Sequence, residues 1–150
     1  MQVYITQVLA AFGGTICFSI LFNSRKKRLL LVGICGALTW IAYLILYWFT
    51  ESEMVSYFFA SMLAASMAEI FARIVRCPST VLLVPNLIPL MPGGRLYYTM
   101  FYLVSEDHEQ MKTYLDLLLT DALSLSFGVI VVISIVQVGH KMHLYRAKKR

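Results

Sequence analysis

Charge is scarce in this chain. Only 14% of its 150 residues are charged, against roughly 25% in a soluble domain, which excludes an ordinary aqueous globule. Catalytic motifs are missing too: no HExxH, Gly-x-Ser-x-Gly elbow or Walker loop occurs. His108 falls in a polar loop, and His140 and His143 fall in a basic tail, so no histidine belongs to a buried triad. Asp116 and Asp121 share one span five residues apart, an awkward offset for an acid dyad. Neither an enzyme nor a cofactor is expected. Cysteine is equally thin. Cys17, Cys35 and Cys77 are odd in number and lack CxxC spacing, which fits small buried hydrophobes better than a disulfide framework or a metal site. The start of the chain has neither the basic flank nor the cleavage pattern of a signal peptide, so Gln2 onward reads as a retained span.

Apolar residues are what the chain has in abundance. They make up 59% of it, the mean hydropathy is +0.73, and they come in blocks of about 20, the length that crosses a bilayer core. The expected fold is an all-α integral membrane protein, one polytopic domain over residues 1–150. Its five spans run about 2–22, 29–49, 54–75, 81–104 and 115–139, followed by a basic tail at 140–150. The net charge of +5 does not point to nucleic acid, because the positive residues cluster at span ends, in Arg25-Lys26-Lys27-Arg28 and from Lys141 to Arg150. Such clusters orient spans toward the cytoplasm. With the N-terminus outside and the C-terminus inside, Arg73 and Arg76 also fall inside, while Glu51, Glu53 and Glu106 to Glu109 fall outside. Four or six spans would break this agreement. The bundle is short, odd in number and without an internal repeat, whereas many transporters are built from related halves. A partner chain or self-association is therefore expected in the bilayer.

Several polar groups lie inside the spans. In the third, Ser61, Ala64, Ala65, Ala68 and Ala72 recur at helical spacing, a stripe that lets backbones approach closely in lipid. Glu69 and Arg73 form an i, i+4 pair of opposite charge. The pair is either an interfacial bridge that sets span depth, or a titratable Glu69 held by Arg73 for coupling. In the fifth span Asp121 shares a face with Thr113, Thr120, Ser124 and Gly128. A carboxylate among hydroxyls belongs against protein or a wet cavity. It serves proton or ion coupling, or a polar contact between helices.

The stretch VPNLIPLMPGGR, from Val84 to Arg95, sits in the middle of the fourth span. Pro85, Pro89 and Pro92 lack amide hydrogens, so the carbonyls of Val81, Pro85 and Ile88 should lose their helical partners. Gly93 and Gly94 can take backbone angles closed to other residues. A helix restarting near Arg95 and carrying Tyr97 places the break near the midplane. There freed carbonyls and amides are tolerated only against protein or water. Transporters with discontinuous helices have this design: the positive end of the second half-helix, reinforced by Arg95, holds a carboxylate, and Asn86 adds an amide. The expected substrate-binding residues are Asn86, Pro89, Gly93, Gly94, Arg95, Tyr97 and Ser124. Those expected for proton or ion coupling are Glu69, Arg73 and Asp121. A simple kink that shapes the bundle is the alternative.

The run from Phe58 to Met100 resembles the small-subunit form of the bacterial threonine/serine exporter family. The likeness rests on Glu69, Ala72-Arg73, Pro78, Pro85, Ile88-Pro89-Leu90, Pro92-Gly93 and Tyr97-Tyr98. It implies a multi-pass inner-membrane exporter of small amino or carboxylic acids driven by the proton motive force. It also implies a split form in which this chain works with a second five-span subunit. Succinate or another dicarboxylate is the alternative cargo, and a non-transporting membrane scaffold is the alternative role.

Overall fold

The computed structural model describes residues 2–22 and 26–148; Arg25 of the basic turn and the last two residues of the tail lie outside them. The described residues form six α-helices: α1 (Gln2–Leu21), α2 (Lys26–Thr50), α3 (Glu53–Val75), α4 (Thr80–Leu87), α5 (Gly93–Val104) and α6 (His108–Lys148), with a 3-10 turn at Ile88–Leu90 between α4 and α5. Four of them hold stretches long and apolar enough to cross a membrane: Gln2–Leu21, Arg28–Thr50, Glu53–Val75 and His108–Gly139. The expected fourth span is instead a composite of α4, the 3-10 turn and α5.

Local chemistry sets the turns. Arg76 adopts a left-handed conformation (φ 53°), and the Cys77 amide closes back on the Ala72 carbonyl at 2.9 Å. This is the capping geometry that ends a helix, and Pro78 follows. At the start of α6, the Gln110 amide donates to Asp107 Oδ1 at 3.2 Å, an N-cap. The polar segment expected as a loop before the fifth span is therefore helical from His108. The helix also runs past Gly139 into the tail, because no proline interrupts it there.

Two glycines set the closest helix contacts. A β-carbon at Gly128 of α6 would fall on the Ser61 hydroxyl and the Phe58 carbonyl of α3. One at Gly36 of α2 would fall on the Thr15 side chain of α1. Only glycine permits backbones this near. The small stripe of α3 is buried along its length: Ser61, Ala64, Ala65, Ala68 and Ala72 are each at most 4% exposed.

Contacts with α3 fix the level of the composite fourth segment. Leu82 packs with Ala68 and Ala72, and Asn86 donates to the Ala64 carbonyl. Leu90 packs with Tyr57 and Ala60, and Arg95 reaches Glu53, the first residue of α3. The segment thus runs antiparallel to α3, and Asn86 is level with the middle of that helix. The interruption lies one to two turns nearer the Glu53 end than the halfway position expected from sequence. Beyond Arg95, α5 packs chiefly against α6, joined by Tyr98 and Tyr102 on Tyr114, with ring centroids 5.2 Å and 5.4 Å apart.

Candidate functional site

Proline placement explains where the fourth segment breaks. Pro85 lies inside α4 and is buried, so it does not break the helix as expected. The Ile88 amide donates to the Pro85 carbonyl, and the Met91 amide donates to the Ile88 carbonyl at 3.1 Å. Tightening into a 3-10 turn thus re-partners two of the three carbonyls expected to be free. The chain turns at Met91-Pro92, and the Leu96 amide closes the first turn of α5 on the Pro92 carbonyl at 3.1 Å. The Gly93 amide donates to the Met91 carbonyl at 2.7 Å, which leaves the Gly94 and Arg95 amides as the free donors of a helix start. Neither Gly93 nor Gly94 has a positive φ, and a β-carbon on either meets no heavy atom within 4 Å among the described residues. Their backbone is exposed, so their contribution is an open approach rather than an unusual angle.

Arg95, in that first turn, ties three helices together. Its Nη1 contacts Asp121 Oδ2 of α6 and donates to the Leu117 carbonyl at 3.1 Å. Its Nη2 contacts Glu53 Oε2 of α3. The three side chains differ in access: Asp121 is 1% exposed, Arg95 20% and Glu53 37%. A buried carboxylate requires a partner, and Arg95 supplies it. One guanidinium and two carboxylates leave the cluster with one surplus negative charge when all are ionised.

The middle of the bundle carries unmet polar groups. The Asn86 side-chain amide donates to the Ala64 carbonyl at 3.2 Å, but its Oδ1 has no partner among the described residues. The same holds for Ser124 Oγ, one turn along α6 from Asp121, and for Thr39 Oγ1 and Trp40 Nε1 on α2. Trp40 packs on the cluster of Tyr57, Ala60 and Leu90. Buried donors and acceptors left open by protein are met by water or by a guest.

The expected residues divide on this geometry. Arg95 and Asp121 are in contact, Ser124 is buried beside Asp121, and Asn86 is buried further along the same segment. Pro89 lies in the 3-10 turn, half-buried. Tyr97 is on the outer face of α5, exposed and stacked on Phe101 at 6.3 Å, with no contact to the arginine cluster. Thr113 and Thr120 are exposed, and their hydroxyls bond back to the Glu109 and Asp116 carbonyls. The hydroxyl-lined face of α6 thus narrows to Asp121, Ser124 and Gly128. Glu69 and Arg73 form their pair at 3.7 Å, with side-chain exposures of 18% and 64%. They sit toward the other end of α3, about 24 Å along the helix from Glu53, and belong to no common site with Arg95. Glu53 is the residue that sequence reasoning missed, having been assigned to a charged loop. A signal existed in the lone arginine of an apolar segment, which demands acidic partners from other spans.

A family model described as "Threonine/Serine exporter, ThrE" matches residues 7–135. No curated protein matches the chain, and no solved structure does.

Proposed function

Because the chain belongs to the threonine/serine exporter family, we propose that it is a subunit of a proton-coupled secondary exporter of threonine, serine or related small carboxylic acids. In this reading it sits in a bacterial inner membrane, N-terminus outside, and works with a second five-span subunit. The family is one of membrane transporters rather than enzymes, and the long apolar helices accord with that. Exposed Leu96, Tyr97, Met100, Phe101 and Val104 on α5 offer an apolar face for the companion subunit.

The observation that carries the coupling mechanism is the contact between Arg95 and the buried Asp121 at a helix restart. With Asp121 ionised and holding Nη1, a substrate carboxylate can displace Glu53 from Nη2 and reach the free α5 amides. A proton on Asp121 ends that hold. Arg95 then pairs fully with Glu53 and the substrate position closes. Proton and substrate exclude each other at one site, which is the condition for exchange. Asn86 and Ser124, with open hydrogen-bonding atoms, supply the polar lining below.

The test is flux in membrane vesicles from cells expressing the full chain at its native locus. A pH gradient should drive threonine or serine movement, and Arg95→Gln should reduce it at least ~100-fold, as loss of a buried charge-assisted pair implies. Flux that persists unchanged in Arg95→Gln removes Arg95 from the site.

A further inference from the structure

We infer that Glu53 is the receptor for the substrate's ammonium group, and that a zwitterion enters by inserting into the Glu53–Arg95 bridge. This rests on the exporter reading and assigns a specificity-determining residue within it.

Charges in this partly buried cluster need partners. Glu53 and Arg95 are already an ion pair between α3 and α5, and Asp121 holds the same guanidinium from α6. Opening the Glu53–Arg95 contact alone would strand the Glu53 carboxylate and leave Arg95 Nη2 without its acceptor, while Asp121 still held Nη1; that cost grows with burial. An α-amino acid placed between them returns a partner to each: its carboxylate meets Arg95 Nη2, and its ammonium meets Glu53 Oε2. No charge is left unpaired, and Asp121 keeps Nη1 throughout. A monoanion re-partners Arg95 but strands Glu53, and a dicarboxylate adds repulsion to that loss. The access pattern fits insertion at this contact, because Glu53 is the exposed carboxylate of the two while Asp121 is closed off. The exposed Gly93-Gly94 backbone beside Arg95 leaves room for the carboxylate to reach the helix-start amides. The other titratable groups within electrostatic reach of Asp121 are the phenols of Tyr43 on α2 and Tyr57 on α3. Neither brings a positive charge, so none replaces the ammonium.

The experiment compares initial rates for L-threonine and its des-amino analogue 3-hydroxybutyrate, with succinate as competitor, in vesicles carrying the full chain at its native locus. A strain lacking the chain gives the background. Wild type should prefer threonine over 3-hydroxybutyrate by about tenfold or more, the factor of one charge-assisted hydrogen bond, and succinate should compete least. Glu53→Gln should bring the preference close to one, and Glu53→Asp should retain most of it. An equal fall in both rates with the preference intact would show that Glu53 only latches α5 to α3, and would overturn the inference. The wild-type order decides the matter even where Glu53→Gln does not reach the membrane: 3-hydroxybutyrate equal to or better than threonine also overturns it. Flux of none of the three in wild type overturns the exporter reading itself, and this assignment with it.

Discussion

Asn86 donates its side-chain amide to the carbonyl oxygen of Ala64 at 3.2 Å, level with the middle of α3, while its own side-chain oxygen is buried with no partner among the described residues. One end of the side chain is fixed and the other is open. That is the arrangement of a group positioned to receive a guest's hydrogen-bond donor.

Replacement by leucine, similar in volume, removes the bond to Ala64 and the open acceptor together. Stability of the purified chain should change by no more than about 1 kcal/mol, since both orphaned ends are neutral and one disappears with the side chain. Threonine affinity should fall about tenfold. Thermal unfolding in detergent and concentration-dependent uptake separate the two. Unchanged affinity alongside lost stability would make Asn86 a packing residue.

Glycines on either side of the site should behave oppositely. Gly128→Ala puts a β-carbon onto the Phe58 carbonyl, which is backbone and does not yield. Separation of α3 from α6 should cost about 1–3 kcal/mol, read as reduced thermal stability and membrane abundance. Gly93→Ala and Gly94→Ala meet no neighbour and require no unusual φ, so both should fold as well as wild type or slightly better. If they nonetheless slow threonine flux severalfold, the α5 start is where substrate approaches backbone. Normal flux in both variants, and in Pro89→Ala, would favour a scaffold.

The Glu69–Arg73 pair should matter little. Its arginine is 64% exposed and the separation is 3.7 Å, so the bridge contributes at most a few tenths of a kcal/mol after solvent screening. Glu69→Gln should leave both threonine flux and its pH dependence within twofold of wild type. A lost pH dependence in that variant would place coupling at this end of α3 instead.

Much of the fold was legible in hydropathy. Spans expected at 2–22, 29–49 and 54–75 correspond to helices at Gln2–Leu21, Lys26–Thr50 and Glu53–Val75, because uninterrupted apolar runs of this length have few other solutions. The division of the fourth segment into α4, a 3-10 turn and α5 was not legible in detail. Proline content does not reveal that Pro85 is carried within α4 while the chain turns at Met91-Pro92. The Asp121, Ser124 and Gly128 face follows from helical periodicity. The exposure of Thr113 and Thr120, whose hydroxyls bond back to their own helix, does not. That Arg95 needs an acidic partner was legible, but not that Glu53 is one: their pairing spans two helices and depends on how far α4 climbs along α3.

Coupling through Asp121 is the central claim, and proton movement measures it most directly. Vesicles holding a pH-sensitive dye and preloaded with threonine should show proton flux opposite to threonine flux in wild type. In Asp121→Asn, which is neutral at every working pH like the protonated aspartate, the substrate position should stay closed, so threonine flux should fall close to background with no linked proton signal. Asp121→Asn vesicles that still move protons against threonine at the wild-type ratio would contradict the account.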